Sequence, residues 1–198
     1  MLHSRPFQRA LTAAALVATL GLTSCVSHEK EPIARPGKDV VLKLEVERRV
    51  AEIPYMHGVE LVANLERLAD IGEPAVPHLL AALEADDRLS RASACWVLGV
   101  MGDRRNISAV REMLDDPEAP VRYQAASSLV ELGDNAGFPV LVRGLGDPDI
   151  QTRYKCFEAL RDATGQDFGY EHDAAPTLRR EAVARWQDWL DGWRASAL

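Results

Sequence analysis

Residues 115–134 read DDPEAPVRYQAASSLVELGD, and residues 145–160 read LGDPDIQTRYKCFEAL. Each holds an Asp-Pro break, an Arg six positions after that Asp and a Leu seven positions after the Arg: Asp116, Arg122 and Leu129 in the first, Asp147, Arg153 and Leu160 in the second. Asp and Pro favour a turn that opens a helix, the one by accepting a first-turn amide and the other by its fixed φ. Seven residues make two helical turns, so each Arg and its Leu lie on nearly one face. The same order returns upstream as Asp86-Asp87, Arg91 and Leu98. Three and four places after each Arg stand Ala94-Cys95, Ala125-Ala126 and Cys156-Phe157, mostly small residues suited to close helix packing.

A shorter helix precedes each break. The segments AVPHLLAAL from Ala75, NISAVREML from Asn106 and GFPVLVRGL from Gly137 align so that Val76, Ile107 and Phe138 coincide, as do Leu79, Val110 and Leu141, and Leu83, Leu114 and Leu145. That spacing is one apolar stripe of a helix. Gly72, Gly102 and Gly133 open the three units at intervals of 30 and 31 residues, and Gly165 closes the last after another 32.

Paired helices of this length, joined by Gly and Asp-Pro turns, resemble HEAT repeats, in particular the short HEAT-like form found in phycobilisome lyases and in many bacterial proteins of other roles. The resemblance covers about residues 59–165. It implies an all-α fold, a right-handed α-α superhelix (a HEAT-like solenoid) whose second helices line the concave side. It also implies that Arg91, Arg122 and Arg153 form, with Asp116 and Asp147, an internal ladder between neighbouring repeats rather than a basic binding stripe, because half-buried guanidinium groups need partners.

The repeats divide the chain. Residues 38–71 are expected to be a degenerate first pair, with residues 59–70 its second helix and residues 39–53 its first; Leu42, Leu44 and Val46 in the latter also suit a strand. The pairs at 72–101, 102–132 and 133–165 follow, then a loop and, from Pro176, a last helix in residues 166–198. Val183, Trp186, Leu190 and Trp193 share a face of that helix, with Trp189 beside them, as a cap over the final repeat requires. A second possibility puts some of these tryptophans at the level of lipid headgroups.

The first 24 residues have the pattern of a bacterial lipoprotein signal peptide. Arg5 and Arg9 precede an uncharged apolar run of 13 residues, Ala10 to Leu22, too short to span a bilayer comfortably. Leu22-Thr23-Ser24-Cys25 resembles the lipobox, which implies that Cys25 is lipidated as the first residue of the mature chain; a buried apolar helix and an ordinary cleaved signal are the alternatives. Residues 25–37, with Pro32, Pro36 and Gly37, then form the lipidated Cys and a tether. Val26 and Ser27 after the Cys favour the outer membrane facing the periplasm. Without residues 1–24 the chain carries 21 basic and 30 acidic residues, a net charge of −9. Such a surface repels phosphate backbones, which argues against a nucleic-acid partner.

Little in the sequence carries chemistry. Cys95 and Cys156 fall two repeats apart, about 20 Å for helices stacked at about 10 Å, too far for a disulfide. Some HEAT-repeat proteins are di-iron hydroxylases built on repeated His-Glu pairs; the one His-Glu pair here is His28-Glu29, in the tether. His57 falls in a turn, and His78 aligns with Ala109 and Val140 at a half-covered position. The loop of residues 166–173 concentrates acids, His172, Phe168 and Tyr170; it matches no calcium-loop spacing, and its aromatics are expected to pack over the last repeat. No metal, cofactor or catalytic residue is expected.

The remaining pattern lies on the outer face of the second helices. Five places after each Arg stand Trp96, Ser127 and Glu158, and one place after it stand Ala92, Tyr123 and Tyr154. Trp96, Tyr123 and Tyr154, flanked by Gln124 and Lys155, form a candidate aromatic strip for a protein partner. Alternatively, Trp96 packs on the degenerate repeat and the tyrosines cover the ladder. The function this implies is a non-catalytic adaptor or assembly factor tethered to the bacterial envelope by a lipid. The alternative is a lyase-like or accessory enzyme acting on a small molecule or a cofactor-bearing protein.

Overall fold

The computed structural model describes residues 37–196. The expected signal peptide, Cys25 and nearly all of the tether lie outside the described residues. Those described form nine α-helices and no strand: α1 Lys38–Glu52, α2 Gly58–Ile71, α3 Val76–Ala82, α4 Arg88–Val100, α5 Ile107–Glu112, α6 Ala119–Glu131, α7 Phe138–Gly144, α8 Ile150–Thr164 and α9 Pro176–Ser196. Successive helices pair as α1/α2, α3/α4, α5/α6 and α7/α8, and the pairs stack into an all-α solenoid closed by α9. No helix among the described residues is long and apolar enough to cross a membrane.

The strand option for the first segment fails on burial. Val46 and Ile53 are buried and Val50 is half-buried, at helical spacing, whereas Leu44, which a strand would turn inward with Val46, is 55% exposed. In the repeats, the expected stripes are the core. Leu98, Leu129 and Leu160, seven residues after the three Arg, are all wholly buried, as are Leu79 and Val110, with Leu141 nearly so. Each intact side chain of this kind contributes about 1.5–3 kcal/mol relative to exposure.

Sequence chemistry sets the helix ends. Asp87 and Asp149 accept the backbone amides of Ser90 and Thr152 and so cap α4 and α8. Ahead of α6, Asp116 accepts the Glu118 amide and Pro120 stands in the first turn. Between repeats, Gly72, Gly102 and Gly133 adopt φ of 73°, 69° and 77°, a conformation that a β-carbon penalises.

Small residues let the layers approach. A β-carbon on Gly99 would lie 2.7 Å from the Ser128 side chain, and one on Gly137 would collide with the Ala126 carbonyl oxygen. The second obstacle is backbone, so it cannot rotate away. Gly137→Ala is therefore expected to cost about 2 kcal/mol or more, read as a lower urea midpoint at unchanged slope.

At the far end, Trp186 is wholly buried on α9 with Ala182 and Leu190. Its ring meets Phe168 edge-on at 4.8 Å, and Phe138 of α7 meets Trp189 and Trp193 at 5.3 and 5.5 Å. The loop between α8 and α9 is stitched down by the Tyr170 hydroxyl, which donates to the Leu145 carbonyl at 2.6 Å. Phe168 sits at φ 47°, strained for a residue with a β-carbon, and is held there by its contact with Trp186 and by Arg185, which donates to its carbonyl at 2.8 Å.

Candidate partner-binding groove

The second helices α2, α4, α6 and α8 each turn one face toward a common open groove of about 580 Å³. Helical periodicity decides which residues reach it: on α6 they are Pro120, Tyr123, Gln124, Ser127 and Glu131, a stripe of three- and four-residue steps. All five residues singled out from the sequence, Trp96, Tyr123, Gln124, Tyr154 and Lys155, line this groove. Leu61, Val62 and Leu65 of α2 and Leu89 of α4 extend its apolar wall.

The two options for Trp96 are both realised in part. The indole is half-buried and packs against the core of the first repeats, while another part of it lines the groove. Tyr123 is likewise half-buried; its hydroxyl donates to Asp147 Oδ2 at 3.0 Å. Burial, followed by the Asp147 hydrogen bond, pushes the Tyr123 phenol up to about 12. Tyr154 is 42% exposed and meets the His172 ring edge-on at 5.0 Å. Gln124 and Ser128 share a long 3.5 Å hydrogen bond, and Lys155 is exposed.

The ladder differs from the expected set of Asp-to-Arg rungs. Every Arg clamps two carbonyls of the turn that precedes its own helix: Arg91 those of Ala85 and Asp86, Arg122 those of Asp116 and Pro117, and Arg153 those of Asp147 and Pro148, at 2.6–2.8 Å. A carboxylate bridge to the next repeat forms on the first rung, where Arg91 donates to both oxygens of Asp116 at 2.7 and 3.1 Å. The second rung is corrected: the Asp147 side chain is taken by the Tyr123 hydroxyl and the Asp149 amide, and Arg122 is committed to carbonyls. On the third, the buried Arg153 donates from Nε to the His172 carbonyl at 2.8 Å and so ties the loop before α9 to α8. Turn carbonyls with unused lone pairs are the common physical demand, and the guanidinium fork satisfies two at once.

Burial raises the Asp116 carboxyl, but the Arg91 guanidinium, the Glu118 amide and the charges of Arg91 and Arg122 outweigh it and hold the group below the usual range. Cys95 and Cys156 are free and buried, and burial pushes both thiols up to about 12. In the loop of residues 166–173, Asp167 accepts the Gly169 amide, while Phe168 and Tyr170 pack inward. Among the described residues no three of His, Cys, Asp and Glu converge as metal ligands would.

One groove residue was absent from the sequence reading. Glu131, at the C-terminal end of α6, has its carboxyl pushed up by desolvation with no cation opposing that rise. The available signal was its register: nine places after the three Arg stand Val100, Glu131 and Asp162.

Stacked helix pairs, turn-clamping Arg residues and one groove shared by the second helices define an all-α solenoid protein of short helical repeats. Residues 76–161 match the family model described as HEAT repeats. Among solved structures, the chain is similar to human deoxyhypusine hydroxylase in complex with glycerol, with 26% identity, a TM-score of 0.43, and coverage of 70% of this chain and 50% of that one. The chain therefore spans about half the length of the hydroxylase chain. No curated protein matches it.

Proposed function

We propose that this protein is a non-catalytic adaptor or assembly factor, held at a bacterial envelope membrane through a lipid on Cys25, and that it binds a partner protein in the groove of its second helices. The observation that carries this is the composition and position of the groove. Trp96, Tyr123 and Tyr154 come from three different repeats, yet they line one open trough together with Leu61, Val62 and Leu65. Solenoids offer such continuous surfaces because each repeat contributes the same helix face, and large aromatics at the centre of a surface are where binding free energy concentrates.

A photo-crosslinking amino acid in place of Gln124, in living cells, tests it. A discrete adduct with one protein is expected, absent when the same group replaces Ala81 on α3. Equal yield of nonspecific products at both positions would remove the groove from consideration. The anchor has its own test: Cys25→Ser is expected to abolish incorporation of a fatty-acid analogue and to release the chain from membranes.

A further inference from the structure

Across the second helices, the repeat register creates two parallel rows. One step after the Arg positions the row reads Val62, Ala92, Tyr123, Tyr154; nine steps after, it reads Asp70, Val100, Glu131, Asp162. In the first row Val62 and Tyr154 are 49% and 42% exposed. In the second, all four residues are exposed and three are acids. The rows are eight residues apart, about 12 Å along a helix, which is the width of an α-helix with its side chains. Four second helices at about 10 Å spacing extend the trough to about 30 Å, the length of about 20 helical residues.

The acidic row also lies at the C-terminal ends of the helices: α2 ends at Ile71, α4 at Val100, α6 at Glu131 and α8 at Thr164. Carboxylates there add to the negative end of the α2, α6 and α8 dipoles, an arrangement that helices ordinarily avoid and that a cation relieves. Asp162 lies 3.7 Å from Arg161, whose shorter bridge, at 2.7 Å, goes to Glu158. Glu131 is exposed as a residue, yet partial desolvation of its carboxyl raises its pKa, and no cation opposes that rise. Lys155 is the basic residue lining the groove, and it stands closer to the aromatic row than to the acidic one.

We infer that the groove's partner presents a basic amphipathic helix, lying across α2, α4, α6 and α8 with its apolar stripe on Trp96, Tyr123 and Tyr154 and its Lys or Arg residues toward Glu131 and Asp162. This rests on the adaptor reading and narrows it to one partner chemistry. The complementary charge accelerates encounter and fixes the orientation of the helix.

The test uses the purified full chain and two fluorescein-labelled synthetic helices of about 18 residues. They share a Leu stripe, and their polar faces are all Lys in one and all Glu in the other. By anisotropy, the Lys helix should bind about tenfold more tightly than the Glu helix, a difference of about 1.4 kcal/mol. Glu131→Gln should halve or further reduce that preference, Glu131→Lys with Asp162→Lys should reverse it, and far-UV circular dichroism should show both variants folded. Equal binding of the two helices, a preference unchanged by charge reversal, or binding of neither helix would overturn the inference. The crosslinking test at Gln124 does not depend on either probe, so a groove adduct combined with failure here would reject the basic helix and leave the adaptor.

Discussion

Trp186→Ala is expected to cost about 3–5 kcal/mol, the range for removing a large aromatic from a packed interior. Trp186 is wholly buried and touches Phe168 and Trp189 edge-on, so its loss frees both the loop before α9 and the cap itself. In a solenoid each repeat leans only on its neighbours. The damage should therefore be graded: hydrogen exchange should accelerate most in α7, α8 and α9 and least in α1 and α2. Trp186→Phe provides a contrast. Its Nε1 finds no acceptor among the described residues, so removing that N–H relieves an unsatisfied polar group while most of the ring area remains. The Phe variant should retain more than half of the stability lost in the Ala variant, measured by chemical denaturation.

Arg91→Ala should be nearly as costly, about 3 kcal/mol. The side chains of Arg91 and Asp116 are only 12% and 4% exposed, and the substitution strands a buried carboxylate along with two turn carbonyls. Arg91→Lys should rescue little, because an ammonium cannot reproduce the fork that reaches Asp116 and both carbonyls. The pH dependence follows from the lowered carboxyl of Asp116. Its contribution is complete above the unfolded carboxylate value of about 3.9 and is lost as pH falls through the lower folded value, because protonation then removes the bridge. Asp116→Asn should therefore be less stable than the parent at pH 7, and the gap should narrow on acidification. Thermal melts across pH 2–7 read both effects.

How much of this was legible in the sequence depended on whether a feature repeats and whether side chains carry it. Leu98, Leu129 and Leu160 recur at fixed register and are all wholly buried, and the glycines between the repeats all take positive φ. The Arg series was legible as structural, but its main partners are turn carbonyls, which have no sequence signature. Asp147 is expected in the Asp-to-Arg ladder because charge is the visible cue, whereas the Tyr123 phenol competes for it. Trp96 has a solvent-side register and yet is half-buried, because the indole packs against the core of the first repeats. Glu131 escaped notice because it lies at a helix end, beyond the Arg-to-Leu stretch that reveals the repeat. The strain at Phe168 depends on a loop that occurs once, and no periodicity announces it.

The measurement that bears most directly on the central claim is affinity capture after crosslinking in living cells, comparing the parent chain with the combined Trp96→Ala, Tyr123→Ala and Tyr154→Ala variant after circular dichroism has shown both to be folded. A specific protein retained by the parent and lost from the variant is the predicted result. Undiminished capture of that protein by the folded variant would contradict a partner bound in the groove.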